Sequence, residues 1–302
     1  MNDKSSITAL MSAFARAYHT RCEQRPIFSD DIAEKLMTDE EYQQISQYVS
    51  SGIDFFAPEK KNELHSRDDI LKYIVRTQLA PTPAARARFC EDSLKTSVLT
   101  GAGQYVILGA GLDTFAFRER EFLKKHHVFE VDHPLTQADK RERVSRAGLS
   151  VPANLHYVPV DFSCDDLGKK LLDAGFDPKK KTFFSWLGVS YYLTEEQIAA
   201  MLDSLAGLSA EGSTLVFDCA DEGLFSSDVK RVQNMAAMAA AGGEPMKSCF
   251  GYRQLEKLLE EHGFLIYEFL TPEDIQNQFF EEQYGNMTAF EHINYVTAVH
   301  KL

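Results

Sequence analysis

Three observations predict an α/β chain built on a doubly wound, mostly parallel seven-stranded sheet with an antiparallel last strand and a helical cap. From residue 104 onward, five short apolar runs alternate with helical stretches, the pattern of a sheet buried on both faces. Two further strand-like runs, Phe264–Leu270 and Asn294–His300, follow near the end of the chain. Residues 5–95 carry helical spacing and no strand alternation.

Taken in order, Ile7, Leu10, Met11, Phe14 and Tyr18 fall on one helical face, and Thr38 with Glu41 makes a capping box ahead of Tyr42–Val49. Pro81 and Pro83 interrupt this pattern, which resumes over Ala84–Leu94 and ends at the turn Thr100-Gly101-Ala102-Gly103. That turn divides a helical cap region, 1–95, from a core, 96–302. The core strands are expected at 104–108, 128–131, 155–160, 182–186 and 214–218. Thr194 and Gln197 cap a helix that runs to Leu208, and Tyr252–His262 forms another that stops at Gly263. Thr271 and Pro272 open a helical stretch between the last two strands, a connection that lets them pair antiparallel. Residues 220–251 interrupt the alternation and contain the Ala- and Met-rich Val229–Ala241, expected as an inserted helix over the carboxyl edge of the sheet.

With 302 residues the chain can bury a large core without disulfides or metal, and 44% hydrophobic with 25% charged residues is ordinary for a folded protein. A formal charge of −13 disfavours nucleic acid as a partner, because phosphate binding needs a basic surface. The first residues lack the apolar segment of a signal peptide, and no run is long enough to span a membrane, so no membrane association and a cytoplasmic location are expected. Five scattered cysteines without a C-x-x-C pair read as reduced thiols, and no metal site is expected. The oligomeric state is left open.

The chemistry concentrates at three strand ends. Gly109-Ala110-Gly111 follows the first strand, where glycines let the backbone turn tightly and approach a ligand beside a helix N-terminus. The third glycine of the dinucleotide fingerprint is missing, with Thr114 in its place. At the end of the second strand, Asp132 can accept both ribose hydroxyls of an adenosine. Glu130 lies on the same face, but Asp132 is nearer the crevice. The third strand runs into Asp161-Phe162, a carboxylate for an adenine amino group and a ring to pack on the base. Glycines and an acid at this spacing serve NAD as well as S-adenosylmethionine (SAM); the Asp161-Phe162 pair and Thr114 favour SAM.

The segments Gln-Tyr-Val-Ile-Leu-Gly-Ala-Gly-Leu-Asp-Thr (104–114), Val-Phe-Glu-Val-Asp-His-Pro (128–134) and Val-Pro-Val-Asp-Phe (158–162) resemble the leucine carboxyl methyltransferase family. The resemblance extends to Ala84-Ala85-Arg86 and to Gly188–Leu193, and is similar to the bacterial branch around the tetracenomycin polyketide carboxyl O-methyltransferase. It implies a Rossmann-like class I methyltransferase fold and SAM as cofactor. Carried onto this sequence, it implies that Arg86 pairs the SAM carboxylate and Gly109 contacts the cofactor through its backbone within the turn. It also implies Asp132 on the ribose, with Asp161 and Phe162 at the adenine. Eukaryotic protein-modifying members carry a Glu before the Gly188 region, where Trp186-Leu187 stand here, which argues against a protein-tail substrate.

The expected activity is therefore carboxyl O-methylation of a small molecule, with Tyr191 and Tyr192 at the end of the fourth strand orienting the acceptor. A carboxylate is ionised at neutral pH and needs no base, whereas a phenol benefits from one, for which His133 and His127 are the nearest candidates. The N-terminal helices and the insertion are expected to close over the acceptor. Two rival readings are a non-catalytic SAM-binding protein, motivated by Leu187, and an NAD-dependent oxidoreductase.

Overall fold

The computed structural model describes residues 7–162, 164–280 and 284–301. Its centre is a seven-stranded sheet: β1 (Gln104–Leu108), β2 (His127–Asp132), β3 (Leu155–Pro159), β4 (Thr182–Trp186), β5 (Thr214–Ala220), β6 (Phe264–Leu270) and β7 (Ile293–His300). The strand order is β3-β2-β1-β4-β5-β7-β6. The first five strands run parallel, and β7 lies antiparallel to both β5 and β6. The chain moves outward from β1 to β3 and then crosses back to β4 on the other side of β1. The carboxyl ends of β1 and β4 therefore diverge around a crevice, where open α/β sheets bind ligands.

Strand alternation explains the two cores. Tyr105, Ile107, Phe183 and Val216 face one side and pack with Phe14, Leu36, Ile74 and Phe89 from the N-terminal helices. Val106, Leu108, Phe184, Trp186 and Phe217 face the other and pack with Leu202, Leu205, Leu258 and Leu259. These last four lie on helices Glu195–Gly207 and Tyr252–Glu261. The capping boxes expected at Thr38–Glu41 and Thr194–Gln197 are formed, and Thr271 makes a third with Asp274.

Several boundaries differ from the sequence expectation. The helix expected from Ala84 begins at Pro81 and runs to Leu99, because prolines in a first turn replace N–H groups that have no intrahelical partner. Strand β3 stops at Pro159 rather than Val160. Strand β5 continues to Ala220, so the 220–251 segment starts as strand; its main helix is Lys230–Ala241, with Val229 as the N-cap residue. Among the described residues, no helix is long and apolar enough to cross a membrane.

Candidate active site

A cavity of about 730 Å³ opens at the carboxyl ends of β1 and β4. Pockets of roughly 300–1,000 Å³ suit cofactors and drug-sized ligands. Arg86, Gly109, Ala110, Gly111, Asp132, Phe162, Tyr191 and Tyr192 all line it. Asp161, next to Phe162, is not among its lining residues.

The floor is the glycine turn. Gly109 (φ +66°) and Gly111 (φ +46°) adopt left-handed backbone that costs other residues energy. A Cβ on Gly109 would stand 2.7 Å from Val189 Cγ2, and one on Gly111 would stand 3.2 Å from the Ala9 methyl. The N-terminal helix Ile7–Cys22 thus lies directly over the turn. The Gly109 and Ala110 N–H groups both donate to Val131 O (2.9 and 3.1 Å), which ties the turn to β2. Asp132 completes it: its carboxylate accepts from the Gly111 N–H and, at 2.6 Å, from the His133 N–H. Burial pushes the Asp132 carboxyl up, and the two N–H donors pull it back. Each carboxylate oxygen can still accept a further hydroxyl.

Arg86 forms the wall. Its Nη1 meets Asp218 Oδ2 at 3.0 Å and donates to Tyr191 Oη at 3.2 Å. The other Asp218 oxygen accepts the Gly188 N–H at 2.6 Å, and Ser190 Oγ donates to Asp218 O. Gly188 has a left-handed backbone (φ +71°) that favours glycine, and a Cβ there would fall 2.6 Å from Arg86 Nη2 and displace the guanidinium. Burial alone would lower the Arg86 guanidinium, but the Asp218 charge outweighs it and holds the group protonated. Burial also drives the Tyr191 phenol well above its ordinary value and Tyr192 up to about 12, so both are neutral donors near pH 7. Their rings meet edge to face at 4.7 Å.

Asp161 and Phe162 lie beyond β3, Phe162 with 43% of its surface exposed. The Asp161 N–H donates to Asp165 Oδ2 (3.0 Å), and its carboxylate stands 3.9 Å from His133 Nε2. Glu130 is fully buried and pairs with Lys140 Nζ at 2.6 Å, away from the cavity. Leu187, where a Glu would mark the protein-modifying relatives, faces the cavity, while Trp186 is buried in the core. His127 corrects an expectation: it begins β2 and contacts His156 (2.8 Å), a full strand length from the crevice. His133 does line the cavity.

Sequence reasoning missed three residues. Asp218, fully buried on β5, anchors Arg86; a carboxylate inside Leu-Val-Phe-Asp-Cys-Ala was its visible signal. Asp30, also fully buried, meets Arg16 Nε at 2.8 Å and accepts from Thr114 Oγ1 at 2.8 Å. Arg16 Nη2 in turn donates to Leu112 O (2.8 Å), so the first helix is bolted to the glycine turn. Thr114, standing where a dinucleotide fingerprint has glycine, is the hub of this fastening and also accepts from Arg118 Nε.

The leucine carboxyl methyltransferase family matches residues 9–206. The chain belongs to this family. Bacillus subtilis YktD, named as a SAM-dependent methyltransferase, is 49% identical over 99% of both chains. A Mycolicibacterium gilvum protein with the same naming is 33% identical, covering 70% of this chain and 66% of its own. Among solved structures, a DUF574-family protein from Streptomyces avermitilis has a similar fold: TM-score 0.56, 12% identity, covering 96% of this chain and 97% of its own. A Thermobifida fusca protein (TM-score 0.57, 12% identity, 99% and 96% coverage) shares it as well. Membership sets the reaction class, methyl transfer from SAM, and the NAD-dependent reading gives way to it.

Proposed function

We propose that the protein is a SAM-dependent O-methyltransferase that methylates a carboxylate of a small molecule. The observation that carries the cofactor half of this reading is the Arg86 guanidinium. Asp218 and Tyr191 occupy its Nη1, leaving its remaining N–H groups to pair a carboxylate at the cavity wall. Around it the geometry fits SAM: the glycine turn admits close backbone approach, Asp132 offers acceptors for ribose hydroxyls, and Phe162 offers a ring for the base. Asp161 is assigned to the adenine amino group beside it. Bound SAM supplies an electrophilic methyl group.

The chain's own part is alignment and exclusion of water. Helix Ile7–Cys22 and residue Glu244 meet across the cavity mouth, where Thr8 Oγ1 donates to Glu244 Oε2 at 2.6 Å. We assign 1–95 and the 220–251 segment to acceptor enclosure on this basis, and 96–302 to the SAM-binding core. Tyr191, tied to Arg86, acts as a positioning residue, and Tyr192 is the donor assigned to the acceptor. Neither tyrosine serves as a base, since both stay protonated near pH 7. A carboxylate acceptor, ionised above pH ~4, asks for none. A small acceptor in the cytoplasm completes the proposal.

Incubation with methyl-labelled SAM and a panel of small carboxylic acids and phenols tests it. Label transferred to an acid and released as methanol by mild alkali supports an ester product. Label that resists alkali, with a rate rising with pH and lost in His133→Ala, points to a phenol instead. SAM binding without turnover across the panel returns the non-catalytic reading.

A further inference from the structure

At the carboxyl end of β5, outside the SAM cavity, three side chains stand in a nucleophile–base–acid relay. His292 Nδ1 lies 2.8 Å from Asp221 Oδ1, and His292 Nε2 lies 3.1 Å from Ser227 Oγ. An ionised carboxylate only accepts, so in the neutral imidazole Nδ1 carries the proton and Nε2 is left to accept from the serine hydroxyl. That is the tautomer a general base needs. Ser227 Oγ also accepts from the Val229 N–H (3.2 Å), which leaves its own proton directed at the imidazole.

Two features show that the fold holds the imidazole in place. His292 is the non-glycine residue with positive φ (+62°) among the described residues, a conformation sparsely populated without glycine. A Cβ at Gly223 would fall 2.7 Å from His292 Cε1, so glycine is what admits the ring. The Asp221 carboxylate is itself steadied by the Gly223 N–H (2.8 Å), and the Asp221 N–H donates to His292 O (3.0 Å). The His292 and Asp221 side chains keep 25% and 30% exposure, so a small substrate can reach them. The Asp228 N–H, next after the serine, donates to no described residue.

We propose that Ser227, His292 and Asp221 form a hydrolytic triad, giving the protein a second activity toward small carboxylic esters. Ser227 Oγ bonds to the ester carbonyl carbon while its proton passes to His292 Nε2. The C–O bond to the leaving alkoxide breaks, and the alkoxide takes that proton and departs as the alcohol. Water then attacks the acyl-serine, giving up its proton to His292. The second collapse returns the proton to Ser227 and frees the carboxylic acid. Triads of this kind recur on unrelated folds and are recognised by geometry and roles.

The test uses the full chain with a fluorophosphonate probe and with p-nitrophenyl acetate. Peptide mapping is expected to place the phosphonate on Ser227. Ser227→Ala should abolish labelling, and His292→Ala should slow labelling and ester turnover by at least about 100-fold. SAM affinity, measured on the same preparations, should match the parent and shows that the variants are folded. A probe that leaves Ser227 unlabelled, or ester turnover that persists at the parent rate in Ser227→Ala, overturns the proposal.

Discussion

Among the described residues, two fully buried carboxylates on the sheet strands, Asp218 and Glu130, are held in ion pairs, and of these two pairs one faces the cavity. Arg86 and Asp218 meet at 3.0 Å behind the cavity wall, and Lys140 and Glu130 meet at 2.6 Å between β2 and helix Pro134–Arg146. Both acids are fully buried, so both pairs bear the desolvation cost of buried charge. Lys140 is itself buried against its partner, whereas Arg86 keeps 15% of its side chain accessible and lines the cavity. A sealed pair can only hold helix to strand. A pair whose cation has donors left over can also hold a ligand.

The comparison predicts a separation of effects. Lys140→Met strands the Glu130 carboxylate and should cost about 3–5 kcal/mol of stability in a urea titration, largely restored by adding Glu130→Leu. SAM affinity of the molecules that stay folded should barely move. Burial raises the Glu130 carboxyl from 4.5 to about 7, with Lys140 only partly offsetting it. Its folded value therefore lies above its unfolded one. Relative to Glu130→Gln, the stability it contributes is present below pH 4.5 and lost as pH rises through about 7. A urea midpoint difference that grows with pH in the opposite sense breaks this account of the sealed pair.

Arg86→Ala is the next largest effect, read in binding: SAM should weaken about 100-fold, or about 2.7 kcal/mol. Should Lys140→Met weaken SAM more than Arg86→Ala does, the division between the two pairs fails. Tyr191→Phe sharpens the comparison at the small end. It removes one hydrogen bond to Arg86, worth about 0.5–1.5 kcal/mol, and should raise the SAM dissociation constant roughly 2- to 10-fold with the stability change no larger.

What was legible in the sequence follows from the range of the forces involved. Strand Thr182–Trp186 matched its apolar run, because burial on both faces writes itself into consecutive residues. Capping boxes were readable for the same local reason. Pro81 misled because proline is a breaker inside a helix and a starter at its first turn, and sequence spacing alone does not separate the two. Residues 109–111 and 132 could be placed at the crevice from strand ends alone. Asp218 and Asp30 could not, since their partners Arg86 and Arg16 lie 132 and 14 residues away and only folding brings them together. Thr114 was noticed as a missing glycine, whereas the structure makes it the fastener between the glycine turn and the N-terminal helix.

Calorimetric titration of SAM into the parent protein, Arg86→Ala and Asp132→Ala tests the central claim most directly. Tight one-to-one binding to the parent is expected, with a loss of about 100-fold in Arg86→Ala and at least about 10-fold in Asp132→Ala, where two charge-assisted acceptors are removed. Binding to both variants at the parent affinity, or no binding to the parent, would contradict it.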